Sequence, residues 1–297
     1  MSIDIAIVPV AGHGTRLLPA TKSQPKEMLS VGRRPVVQYV VEELGLSGIR
    51  RLLFVTSHGK ASIEQHFDID DQLTTYLRET GREEQLKDLE FERQEMEYFY
   101  TRQRRQLGLG HAVLCARPLV GNQPCVVALG DSIIGLHAQS DIVARMIEEF
   151  DASGADVVVA FEEVRAEEVV QYGIAKPRKL AKPVFELEDV IEKPTVEEAP
   201  SNLAVAARYV FSSEIFEALA ETPPGKGGEI QLTDAIQRLL RQGCKGMGVV
   251  LAENERRFDI GNFDSYFRAF SEFALNDPVY GPALRDFVRE LLDREER

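Results

Sequence analysis

Residues 8–27 read VPVAGHGTRLLPATKSQPKE: an apolar run stops at a glycine-rich turn, and cations follow, Arg16 and Lys26 among them. Glycine tolerates positive φ and lets another group come close to the backbone. Successive N–H groups in such a turn form a concavity for an anion. Arg16 can grip phosphate oxygens with its planar fork, and Lys26 can add a compact point charge. The pattern is neither GxxxxGK[ST] nor GxGxxG, so P-loop and dinucleotide-fingerprint readings fail. Glycine-rich turns are also plain punctuation before a helix, and on these residues alone the two readings stand level. Asp131 ends the apolar run PCVVALGD, at the strand end where ligands gather in open α/β sheets. Asp259 lies far downstream in RRFDIGN, and either aspartate alone reads as a turn cap. Glu192 and Lys193 precede Pro194. Neighbours in an extended chain point to opposite faces, so both reach one ligand only across a bend.

The elements that must hold these residues alternate between β-rich and helical patterns. Residues 3–10, 51–56, 96–101, 124–129, 155–161 and 246–252 read as strands. Residues 35–46, opened by Pro35, together with 62–67, 110–116, the stretch after Ser140 and 230–241, read as helices. This βαβ rhythm predicts a sheet with parallel strands and helices on its faces. Residues 69–93 break the rhythm: they are densely charged and predict one or two surface helices split near Gly81. Residues 172–212, punctuated by Pro177, Pro183, Pro194 and Pro200, predict a small antiparallel β region beside the main sheet. Two helices close the chain. The second carries Leu284, Phe287, Val288, Leu291 and Leu292 on one stripe, which reads first as core and otherwise as an oligomer seam.

The 297 residues carry 35 Lys and Arg against 48 Asp and Glu, a net charge of −13. Bulk nucleic-acid binding needs a basic face and is excluded as the main role, while a small phosphate ligand is not. Cys115, Cys125 and Cys244 show no CxxC and read as buried hydrophobes in a reducing compartment. No apolar run approaches the roughly 18 residues of a membrane span, and the acidic N-terminus does not read as a signal peptide. The expectation is a soluble cytoplasmic protein with no membrane partner.

AGHGTRLLPATKSQPKEML resembles, nearly position by position, the bacterial UTP–glucose-1-phosphate uridylyltransferases. The likeness continues in order through VVQYVVEE, QxxxxGLGHAVLCA, GDSI, VIEKP, APSNLAVAARYVF, TPPGKGGEIQLTDAI and FDIGN, over about residues 3–275. It implies a Rossmann-like nucleotide-diphospho-sugar transferase fold, with a mixed, mostly parallel sheet flanked by helices and a small antiparallel sugar-binding region. The implied organisation is a nucleotidyltransferase domain over 1–275, a helical insertion at about 69–93, a sugar-binding region at about 165–230 and a C-terminal helix over 276–297. The implied reaction joins UTP and glucose 1-phosphate into UDP-glucose and pyrophosphate, with Mg²⁺ and a homodimer or homotetramer. Such displacements depend on in-line positioning and charge neutralisation.

By the same resemblance, Ala11, Gly12, Gly14 and Thr15 contact the nucleotide, and Arg16 and Lys26 hold its phosphates. Gln103 reads the base, donating and accepting at once, with Gln106 as its rival; Gly108 and Gly110 let the backbone approach. Asp131 and Asp259 converge on the metal. Lys193 binds the sugar phosphate. Glu192, Tyr172, Gly173, Asn202 and Glu229 line the sugar pocket, with Glu229 and Gln231 equally readable as helix caps. His111 reads as a structural helix-start residue. The chain departs from the family at Ser30, Arg34, Arg104, Leu107, Ser132 and Ala207, the last standing where relatives carry glycine. A sister enzyme using dTTP or another hexose 1-phosphate, and a non-catalytic nucleotide-sugar binder on the same fold, are the competing readings.

Overall fold

The computed structural model describes residues 3–93, 95–179 and 182–295. Residues 180–181 of the expected sugar-binding region and 296–297 of the expected C-terminal helix lie outside them. Strand β1 (Ile5–Pro9) leads through the glycine-rich turn to the short pair β2 (Ser30–Val31) and β3 (Arg34–Pro35), then to helix α1 (Val36–Leu46). β4 (Arg51–Thr56) and α2 (Ala61–Phe67) follow. The charged insertion forms α3 (Asp71–Glu79) and a 3-10 stretch (Glu83–Arg93), with Gly81 at φ 69° between them. β5 (Glu97–Arg102), α4 (Leu109–Leu114), α5 (Arg117–Val120), β6 (Cys125–Ala128) and β7 (Ser132–Ile134) come next. α6 (Ile142–Ser153) starts where the Ser140 hydroxyl accepts from the Ile142 N–H at 3.2 Å. β8 (Val157–Glu163), β9 (Gly173–Pro177), β10 (Val184–Glu192), β11 (Leu203–Phe211), α7 (Glu214–Glu221), α8 (Leu232–Arg241), β12 (Gly246–Val250), β13 (Arg257–Asp259), α9 (Phe263–Leu275) and α10 (Gly281–Glu295) complete the chain.

Among the described residues, nine strands form one mixed sheet in the order β5-β4-β1-β6-β11-β8-β12-β10-β9, and only β10 and β11 run against the rest. Alternation within β1 shows why both faces are apolar. Ile5 and Ile7 pack under α4, α7 and α8 with Phe216 and Ile236, while Ala6 and Val8 pack under α1 and α6 with Val40 and Met146. A smaller core around Tyr39, Phe258 and Phe273 seats α9 against α1.

Two expectations need correction. β11 does not belong to a separate antiparallel patch: all nine of its residues are buried, it runs between β6 and β8 in the middle of the sheet, and β9 and β10 form the far edge of that same sheet. The C-terminal stripe is not core, since Phe287 and Leu292 are each 56% exposed. α10 packs on α9 at the periphery and leaves that stripe facing solvent.

Candidate active site

A crevice of about 1400 Å³ opens at the C-terminal ends of β1 and β6, and β11 and the β9–β10 edge form its other wall. The two distant aspartates meet there through backbone pairing. β7 and β13 run antiparallel with Ser132 opposite Asp259, and the Ile260 N–H donates to the Asp131 carbonyl at 2.9 Å. The Ser132 hydroxyl reaches Asp259 Oδ1 at 3.4 Å. Lys26 Nζ donates to Asp131 Oδ2, and the Arg16 charge acts on Asp259.

Burial alone would raise the Asp131 pKa, but the Lys26 ammonium outweighs it and holds the carboxyl below its usual range. Burial and the Asp131 charge instead push Asp259 above its usual value, despite Arg257, Lys26 and Arg16. For Lys26, burial is overcome by the surrounding carboxylates, so it stays protonated. The result is two carboxylates in mutual repulsion beside a fixed ammonium. Such a pair suits a hard divalent cation, which Asp131 and Asp259 could hold together with phosphate oxygens.

Gly14 sits at φ 66°, the conformation glycine adopts freely, and its carbonyl accepts from the Thr21 hydroxyl at 2.7 Å. Ala11, Gly12 and Arg16 border the crevice, whereas Gly14 and Thr15 shape the turn from behind it. On the opposite wall, Lys193 takes φ 46° and its N–H donates to the Tyr172 carbonyl at 2.9 Å. That left-handed residue is the required bend. It sets Lys193 Nζ 3.2 Å from Glu192 Oε1, so both side chains border the crevice beside Tyr172 and Gly173. The Thr233 hydroxyl donates to Glu192 Oε2 at 2.8 Å. Glu229 borders the crevice, and Gln231 occupies the N-cap position of α8.

Gln103 and Gln106 both reach the crevice, and Gln106 Nε2 donates to the Ala11 carbonyl at 2.6 Å. Gly108 adopts φ 98°, and a Cβ there would lie 2.7 Å from the Glu229 Cβ. Gly110, expected to admit the base, is buried off the crevice: a Cβ on it would lie 2.8 Å from the Ile230 carbonyl oxygen, so its smallness serves packing. Asn202, expected in the sugar pocket, is exposed just before β11 and does not border the crevice.

Three contributors escaped the sequence reading. Arg257, almost buried, donates to Glu162, stacks 4.5 Å over the Tyr172 ring and lies 3.9 Å from Asp259. Two residues from Asp259 on a strand, it shares that residue's face, a periodicity that could have singled it out. Glu27 and Lys60 form a buried pair at 2.8 Å next to Lys26. Arg208 clamps Glu43 and donates to the carbonyls of Ser132 and Ala207. Ala207 itself borders the crevice at φ 60°, within the β11 bulge between Val205 and Tyr209, where a side chain costs about 1–2 kcal/mol relative to glycine.

The arrangement has close counterparts. The nucleotidyl transferase family model matches residues 5–275. The UTP–glucose-1-phosphate uridylyltransferase YngB of Bacillus subtilis is 41% identical over 98% of this chain and 96% of its own. A UTP-bound UDP-glucose pyrophosphorylase from Acinetobacter baumannii superposes with a TM-score of 0.88 at 36% identity, over 98% of this chain and all of that one. A UDP-glucose pyrophosphorylase solved with UDP-glucose gives 0.82 at 36% identity, over 92% and 98%. No described helix is long and apolar enough to cross a membrane. With the crevice, the sheet order and these likenesses together, the chain belongs to the nucleotidyl transferases, and within them to the UTP–glucose-1-phosphate uridylyltransferase family.

Proposed function

We propose that the crevice binds UTP and glucose 1-phosphate and releases UDP-glucose and pyrophosphate, with Mg²⁺ as the divalent cation. One observation carries the reading: Ser132 pairs with Asp259, so two carboxylates stand beside Lys26 and Arg16 in the same crevice that Lys193 and Glu192 enter from the other wall. The donor chemistry fits Mg²⁺, which commonly takes one or two protein carboxylates alongside phosphate oxygens. Among the described residues, no cluster of three or more His, Cys, Asp or Glu offers a fuller cage. When bound, the cation screens and orients the phosphate oxygens.

Arg16 grips the triphosphate and stabilises charge on the departing pyrophosphate. Lys26, held protonated, neutralises the same phosphates while keeping Asp131 ionised. Ala11, Gly12 and Gly108 present backbone to the base and ribose, with Gly14 and Thr15 fixing the turn. Lys193 holds the sugar phosphate, so that its oxygen faces the α-phosphorus in line with the leaving group. Glu192, braced by Thr233, accepts from sugar hydroxyls, and Tyr172, Gly173 and Glu229 line the pocket. The attacking phosphate is already ionised, so no general base is required.

The three free cysteines fit a reducing cytoplasm. Exposed Phe267, Phe287, Leu291 and Leu292 on the two terminal helices support assembly into a homodimer or homotetramer. The test of the reading is a pyrophosphate-release panel of four nucleoside triphosphates against several hexose 1-phosphates, with and without Mg²⁺. UTP with glucose 1-phosphate should dominate and require the metal. A preference for dTTP or another hexose phosphate would reassign the enzyme, and binding without release would make it a non-catalytic relative.

A further inference from the structure

Gln103 follows the end of β5, its N–H tied to the Thr56 carbonyl at 2.9 Å and its side chain 5% exposed on the crevice wall. Two protein groups hold its amide. Nε2 lies 3.0 Å from the Gly108 carbonyl oxygen and 3.0 Å from Nδ1 of His111. A carbonyl oxygen only accepts, so Gly108 demands the amide nitrogen, not its oxygen, on that side. One amide hydrogen goes there and the second points at His111. Nδ1 therefore carries a lone pair, and the ring is neutral with its proton on Nε2. Burial lowers the His111 pKa, which favours the same neutral ring. His111 does not border the crevice; it stands behind Gln103 on α4, with Cys115 Sγ 3.9 Å from the same Nδ1.

With both hydrogens turned inward, only Oε1 remains to face a ligand. We infer that His111 is a specificity-determining positioning residue: it locks the Gln103 amide so that the base is read by an acceptor oxygen alone. Such a reader accepts from the N3–H of uracil or thymine. Cytosine presents a lone pair at N3, and lone pair against lone pair is repulsive, so CTP is rejected. The donate-and-accept contact expected from the sequence narrows to acceptance. The inference rests on Gln103 meeting the base, as proposed above.

The experiment measures kcat/KM for UTP and CTP, at saturating glucose 1-phosphate, in the native enzyme and in His111→Phe, His111→Asn and Gln103→Ala. Phe removes the acceptor, whereas the Asn side-chain oxygen can replace Nδ1. His111→Phe should lose about tenfold or more of the preference for UTP, through KM with kcat little changed, and His111→Asn should keep it within about threefold. If Gln103→Ala abolishes the preference and His111→Phe leaves it intact, the His111 inference fails while the base-reading role of Gln103 stands. If Gln103→Ala leaves the preference unchanged, the base-reading role itself fails. Independently of how the variants fold, ring-nitrogen NMR of the native protein at neutral pH should show His111 protonated on Nε2 only; a proton on Nδ1 would overturn the proposal.

Discussion

Breaking the Glu43–Arg208 clamp tests whether the wall of the crevice is held by buried charge. Arg208 is 0% exposed and Glu43 is 0% exposed, so neither charge has water to fall back on. The guanidinium meets the carboxylate at 3.0 and 2.6 Å, and donates at 3.0 Å to the Ala207 carbonyl and at 2.9 Å to the Ser132 carbonyl. Glu43→Leu strands that guanidinium, and breaking a buried pair in this way costs about 3–5 kcal/mol. Against a total of about 5–15 kcal/mol, the loss should lower the thermal midpoint by on the order of 10 °C. Replacing both partners, as Glu43→Leu with Arg208→Met, removes the stranded charge. The Ala207 carbonyl keeps its bond from the Leu129 N–H at 3.1 Å, while the Ser132 carbonyl loses its guanidinium donor, a penalty of about 1–2 kcal/mol. The double variant should therefore be more stable than Glu43→Leu alone, yet turn over slowly, because Ser132 sits beside Asp131 and opposite Asp259. Urea unfolding followed by circular dichroism, with pyrophosphate release on the same samples, reads both. A cost below about 1 kcal/mol for Glu43→Leu, or a double variant no more stable than it, would refute the reasoning.

Asp259→Asn should cut turnover by about 10²-fold or more, yet leave the metal-free protein at least as stable, since it removes the repulsion from Asp131; a metal-free midpoint well below that of the native protein would contradict this. Thr233→Val removes the hydroxyl that braces Glu192 while keeping its shape, and should raise KM for the sugar phosphate about 3–10-fold with KM for the triphosphate unchanged, as measured by initial rates. His66, hydrogen-bonded to Gln38 at 3.0 Å and packed on Phe91, has its pKa lowered by burial. The unfolded chain then takes up its proton first as the pH drops through 6.5, so stability is full above that value and declines below it. His66→Phe should flatten part of the fall in urea midpoint between about pH 7.5 and 5.5, and an unaltered slope would count against the assignment.

Local pattern carried the strands and helices well: β4 occupies 51–56 as read, and the split of the charged insertion falls at Gly81. What it could not carry was pairing at long range. β11 reads as one short segment among prolines, and nothing local says that it enters between β6 and β8. The glycines of GLGHAV announce a close approach without saying to what, and Gly110 turned out to face Ile230. Asn202 sits in a motif block whose strand, β11, brings Val205, Ala207 and Tyr209 to the crevice, while Asn202 itself precedes that strand and is exposed. Glu192 and Lys193 were legible as a pair needing a bend, while the device that makes it, a lysine at φ 46°, follows from tertiary contacts.

The two halves of the crevice share a three-residue strand. On β13, Asp259 faces Asp131 and Lys26, while Arg257, on the same side, lies over Tyr172 of the opposite wall and bonds Glu162 at the end of β8. Phe258 between them points the other way, into the core under α9. Side chains alternate along a strand, so a one-residue slip of β13 against β7 would swing Phe258 into the crevice and turn Asp259 and Arg257 out together. The Lys26 side and the Lys193 side of the crevice are thus not assembled independently. The register that opposes Ser132 to Asp259, fixed by the Ile260 N–H on the Asp131 carbonyl and by Phe258 in its core, is the single coordinate on which both depend.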